Sequence, residues 1–144
     1  EKKYKKRIVA ENDMFIAVIP FYARYPYEVH MFTKKHKISL KEFNENDMMS
    51  FARILKTILM KFDNLFDFSF PYMMVMHQSP TDGKNYKYYH WHLEFYPPFR
   101  TKNKIKYLAG CESGAGSFIN DTLAEEKAAE LRKLKVSWEK SLLI

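Results

Sequence analysis

The run from Tyr89 to Tyr96 constrains this chain more than any other stretch. Tyr89, Trp91, Leu93 and Phe95 fall at alternate positions, with His90, His92 and Glu94 between them. Such alternation predicts a strand over residues 89–96 with one apolar face on a core and one polar face outside it. Upstream, residues 72–77 (Tyr-Met-Met-Val-Met-His) read as a second strand, and Asp82-Gly83 between the two is a turn signal. A hairpin centred on Gly83 and Lys84 sets His77 directly opposite His90. His77, His90 and His92 then share one face. Three neutral imidazoles suit zinc, iron, copper or nickel and leave room for a fourth ligand from elsewhere. The plainer reading is a polar strand face whose histidines are solvated or hydrogen-bonded.

The rest of the chain supplies what such a hairpin needs. Residues 7–10, 14–19 and 27–33 read as strands, with Pro20 closing the second. On the third, Tyr27, Val29 and Met31 take one face; Glu28, His30 and Phe32 take the other, which is expected to be half exposed. His36, among lysines, reads as a solvated loop residue. From the N-cap candidates Asn46 and Asp47, an apolar stripe of Phe51, Ile54, Leu55, Ile58, Leu59 and Phe62 predicts an amphipathic helix over 47–62, ended by Asp63-Asn64. A further strand is expected over 105–111. It runs into a glycine-rich loop holding Gly110, Gly114 and Gly116, which matches neither the P-loop nor the dinucleotide fingerprint. Thr122-x-x-Glu125 reads as a capping box before a last helix with Ala128, Leu131 and Leu134 inward, and Trp138 anchors the tail. The fold class is therefore α+β, a mostly antiparallel sheet carrying one long helix and a short C-terminal one.

At 144 residues with 47% hydrophobic content, one domain over 1–144 is expected. Cys111 is the only cysteine, so no internal disulfide can form, and a reducing, cytoplasmic setting fits. The apolar run 14–23 is too short to span a bilayer, and no secretory signal opens the chain. The first residue is Glu1 rather than Met, which suggests a fragment. The net charge of +7 favours anionic partners. Part of it lies in the basic opening Lys2, Lys3, Lys5, Lys6 and Arg7. Arg100, Lys102, Lys104 and Lys106 share a parity, so an extended backbone would align them, either as a guarded edge strand or as a cationic rim for phosphate.

Several segments, in this order, carry a resemblance. They are residues 15–21 (Phe-Ile-Ala-Val-Ile-Pro-Phe), 62–66 (Phe-Asp-Asn-Leu-Phe), 69–72 (Ser-Phe-Pro-Tyr), 77–80 (His-Gln-Ser-Pro), His90-Trp91-His92 through Tyr96-Pro97-Pro98, and 106–112 (Lys-Tyr-Leu-Ala-Gly-Cys-Glu). From about residue 10 to residue 134, the chain resembles the C-terminal half of the galactose-1-phosphate uridylyltransferase family, of the histidine-triad superfamily. The resemblance implies that the full-length enzyme moves UMP from UDP-glucose to a hexose 1-phosphate through a uridylyl-histidine. That histidine belongs to a His-Pro-His motif in the other half, and no such motif occurs here. No catalytic residue is therefore expected in this chain, which alone should be inactive. Glu94 stands where a phosphate-contacting amide would be needed, so the hairpin is not read as the nucleophile motif. The resemblance also implies that His77, His90 and His92 bind zinc or iron in a mainly structural role, with a glutamate of the missing half as fourth ligand. Lys106, Ala109, Cys111 and Glu112 match the substrate-binding stretch that reaches across a homodimer to the hexose phosphate. Cys111 replaces a tyrosine there, and residues 114–118 (Gly-Ala-Gly-Ser-Phe) replace a bulkier continuation, which leaves the hexose open.

Two other readings stand beside this one. The first is another histidine-triad nucleotidyltransferase, phosphorylase or hydrolase using His90 or His92. The second is a non-catalytic nucleotide- or RNA-binding module drawing on the +7 charge and the ten tyrosines. The chain lacks an interleaved basic and aromatic sheet motif, so a nucleic-acid partner is not expected, nor is a membrane.

Overall fold

The computed structural model describes residues 5–137. Five strands form one antiparallel sheet in the order β1-β2-β3-β5-β4: β1 Ile8–Glu11, β2 Phe15–Val18, β3 Val29–Thr33, β4 Met73–His77 and β5 His92–Tyr96. The period-2 pattern fixes which face is buried. Phe15, Ala17, Val29, Met31, Leu93 and Phe95 enter the main core together with Trp91. The other face carries a small cluster of Ile8, Ile16 and Val18, then His30, His92 and Glu94. β4 and β5 pair with His77 opposite His92. The hairpin is therefore centred one step later than the turn signal suggests, and His77 does not face His90.

The main helix, α1 (Glu45–Phe66), starts and ends beyond the expected 47–62. Asn44 rather than Asn46 is its N-cap: the Asn44 side chain accepts the Asp47 amide (2.9 Å), and Asp47 accepts the Asn44 amide (3.0 Å). Asp63 and Asn64 do not end the helix, because Phe66, one turn past Phe62, continues the stripe against Tyr27 and Phe70 (5.7 and 5.6 Å between ring centroids). Asp67, left-handed at φ 59°, makes the stop. Ile54, Ile58 and Phe62 then cover the sheet.

Sequence patterning reads the last third less well. Residues 100–106 are not one extended face. Phe99–Thr101 (β6) and Lys104–Ile105 (β7) fold back on each other, so the four cations separate. No strand runs through 105–111. Gly110–Ala115 is a short helix, α2, closed by Gly116 at φ 67°, and the glycine stretch is not an open loop. The expected Thr122–Glu125 capping box does not form. Thr122 bonds Asn120, while Glu125 pairs with Arg7 (2.6 Å). Ala128 and Leu131 of α3 (Ala124–Lys133) are buried, and Leu134 packs against the core. Trp138 lies outside the described residues. No helix among the described residues is long and apolar enough to cross a membrane.

Candidate metal and substrate site

Because β4 and β5 place residues 77 and 92 side by side, the two imidazoles stack, with centroids 4.6 Å apart and an 11° tilt. Two residues along β5 is the same face again, so Glu94 joins them. Its Oε2 is 3.2 Å from His77 Nε2, and its Oε1 is 3.6 Å from His92 Nε2. One ligand atom from each of His77, His92 and Glu94 lies within 4.8 Å of the others. His92 Nδ1 donates to the His90 carbonyl (2.8 Å). That bond leaves Nε2 as the bare nitrogen, turned toward the carboxylate, as a metal ligand requires. Burial is the main reason the His92 pKa is lowered, which favours the neutral ring. Burial alone would raise the Glu94 carboxyl, but the Tyr96 hydroxyl and the rings of His30, His77 and His92 outweigh it and hold the group below its ordinary value.

The structure does not bring His90 into this group. Its Nε2 meets the Thr33 carbonyl (2.9 Å), and its Nδ1 meets His36 Nδ1 (3.3 Å). Glu94 takes the third position instead, the residue read from sequence only as a carboxylate that repels phosphate. His30 is also not half exposed: it is 2% exposed and lies behind the site. His30 Nδ1 is 3.4 Å from Glu94 Oε1, and its Nε2 is 2.8 Å from Glu28 Oε1. Glu28 is itself held by the backbone amides of Arg24 and Tyr25 (2.6 and 3.1 Å). The Arg24 guanidinium donates to the Tyr96 hydroxyl (2.7 Å), which in turn donates to Glu94. The repeat Glu28-x-His30, alternating like His92-x-Glu94, with His30 opposite Glu94 across β3 and β5, is the sequence signal that could have revealed this second layer.

Of the substrate-binding candidates, Lys106 and Glu112 are buried and pair with each other at 2.6 Å. Glu112 also accepts the Ala109 amide (2.7 Å) and the Ile119 amide (3.0 Å). Lys106 donates to the Ile119 carbonyl and lies 5.5 Å from the centre of the Tyr25 ring. First the Lys106 ammonium, then the two amides, lower the Glu112 carboxyl to about 2. The pair acts as a latch that closes residues 106–119 and leaves Tyr107, Ala109 and Cys111 on its outer surface. Tyr25 connects the latch to the metal group, because its ring also packs 6.0 Å from that of Tyr96.

Three comparisons place this arrangement among known proteins. The family model described as galactose-1-phosphate uridyl transferase, C-terminal domain, matches residues 1–142. The galactose-1-phosphate uridylyltransferase of Thermotoga maritima is 42% identical over 137 residues, covering 94% of this chain and 43% of that protein. A solved structure of a uridylyltransferase superposes with a TM-score of 0.83 at 38% identity, over 91% of this chain and 41% of the other. The chain thus spans about two fifths of the length of these relatives. A hypothetical histidine triad nucleotide-binding protein from Sulfolobus tokodaii, 15% identical with a TM-score of 0.60, shares the fold over 81% of its own length.

Proposed function

This chain belongs to the galactose-1-phosphate uridyl transferase family, as its C-terminal domain, and we propose that it serves a cytoplasmic hexose-1-phosphate uridylyltransferase by holding a metal and contacting the hexose phosphate. The full-length protein would carry UMP from UDP-glucose to a hexose 1-phosphate through a uridylyl-histidine outside this chain. The match over residues 1–142 carries this reading, because it joins every element around the site to one family.

His77, His92 and Glu94 suit zinc or iron: two imidazoles, one with its bare nitrogen fixed by a backbone carbonyl, and an ionised carboxylate. The ion would supply a positive charge that crosslinks β4 and β5. A fourth ligand would come from the rest of the protein. His30, Tyr96 and Arg24 hold the carboxylate in its place, so little reorganisation is needed on binding. The latch presents the 107–111 segment, including Ala109 and Cys111, to the hexose phosphate held by the partner subunit of a homodimer. Lys106 and Glu112, buried and paired with each other, serve this role by fixing the shape of that segment rather than by touching the sugar.

In the full-length dimer, Glu112→Ala should lower kcat/KM for hexose 1-phosphate by roughly tenfold to a hundredfold, the scale of a lost charged hydrogen bond. Rates of the two half-reactions give the answer. Unchanged kinetics in both would remove the latch from substrate binding.

A further inference from the structure

His36 and His90 come from distant parts of the chain yet set Nδ1 against Nδ1 at 3.3 Å. Their remaining nitrogens are already committed. His36 Nε2 lies 2.9 Å from the Lys87 carbonyl, and His90 Nε2 lies 2.9 Å from the Thr33 carbonyl. A carbonyl only accepts, so the tautomers that satisfy both carbonyls carry hydrogen on Nε2, with the Thr33 hydroxyl also beside His90 Nε2 (3.1 Å). In those neutral rings both Nδ1 atoms are then bare, and two lone pairs crowd one small space. In these tautomers no hydrogen bond joins the two nitrogens; only a proton on one Nδ1 would make one. A cation between them bridges both lone pairs. Two nitrogens at about 2.0–2.1 Å from a tetrahedral zinc-like ion stand about 3.3–3.4 Å apart, the separation found here.

We propose that His36 and His90 form a second site for a divalent transition-metal ion, distinct from the group of His77, His92 and Glu94. Two imidazoles and solvent make up its ligands, so it binds more weakly than a three-residue site and follows the Irving–Williams order, copper first. Nearby positive charge is partly answered: Lys34 pairs with Glu11 (3.1 Å) and Lys37 with Asp47 (2.9 Å), while Lys35 extends into solvent. An ion here ties the segment after β3 to the loop that enters β5. It thereby braces His92, whose ring bonds the His90 carbonyl.

The test is a copper(II) titration of the full-length protein, followed by electron paramagnetic resonance and melting temperature. Wild type, His36→Gln, His90→Gln and His77→Ala are compared. His36 is exposed, so His36→Gln should fold normally, checked by an unchanged melting temperature in chelator. The expected result is loss of one copper equivalent with nitrogen couplings in both His36→Gln and His90→Gln, and its retention in His77→Ala. The copper-induced rise in melting temperature should shrink in step. Equal stoichiometry in wild type and His36→Gln would overturn the proposal. So would loss of the His36-dependent equivalent in His77→Ala, since the two groups would then be one site.

Discussion

A single hydrogen bond decides which nitrogen of His92 faces Glu94. With Nδ1 donating to the His90 carbonyl, the ring offers Nε2, and lowered basicity keeps it neutral as acid is added. Protonation of His92 should therefore begin to displace a metal only below about pH 6.5, where free histidine protonates. Chelator-sensitive melting temperature against pH checks this; loss of the metal above pH 6.5 would contradict it. Glu112 makes a second pH prediction. Its folded value of about 2 lies below the ordinary 4.5, so the unfolded chain takes up the proton first. The latch should contribute stability above pH 4.5 and lose it as pH falls toward 2. Glu112→Gln should flatten that slope in acid melts. At this scale the sequence pointed to His77, His90 and His92, whereas the folded chain gathers His77 and His92 with Glu94 and sets His90 against Thr33 and His36. The connection from Gln78 to Trp91 takes its register from distant backbone: the Ser79 amide bonds the Ile38 carbonyl (2.9 Å), and the Trp91 amide bonds that of Lys37 (2.7 Å). A turn signal within the loop carries no information about those partners.

Among the elements, α1 holds the fold together through two kinds of side chain. Phe62 is fully buried against Phe70, Tyr72 and Phe95, so Phe62→Ala should cost about 3–5 kcal/mol. Its neighbour Lys61 is also buried, yet charged. Its ammonium donates to the carbonyls of Leu131 (2.9 Å), Leu134 (2.8 Å) and Arg132 (3.4 Å), satisfying the C-terminal end of α3. Lys61→Met should strip that cap at a cost of about 1–3 kcal/mol, with faster amide exchange confined to α3. Denaturant melts check both changes. Strands and helix faces were legible because one buried face imposes its period on the sequence. The end of α1 and the helix α2 were not. Phe66 extends α1 because Tyr27 and Phe70 lie beside it, and α2 depends on Glu112 reaching back to the Ala109 amide. Neither partner is visible in local periodicity.

For the molecule as a whole, the sheet, helix and hairpin match one family over residues 1–142, while the relatives are more than twice as long. The chemistry proposed for the complete protein is thus divided: the nucleophile lies outside this chain, and the metal group and latch lie within it. Elemental analysis of the full-length protein, wild type against Glu94→Ala, tests that division most directly, because Glu94 joins the proposed metal group only through the folded register. Wild type should carry zinc or iron, with one equivalent lost in Glu94→Ala and a melting temperature that no longer responds to chelator. Full metal content and an unchanged chelator response in Glu94→Ala would contradict the account.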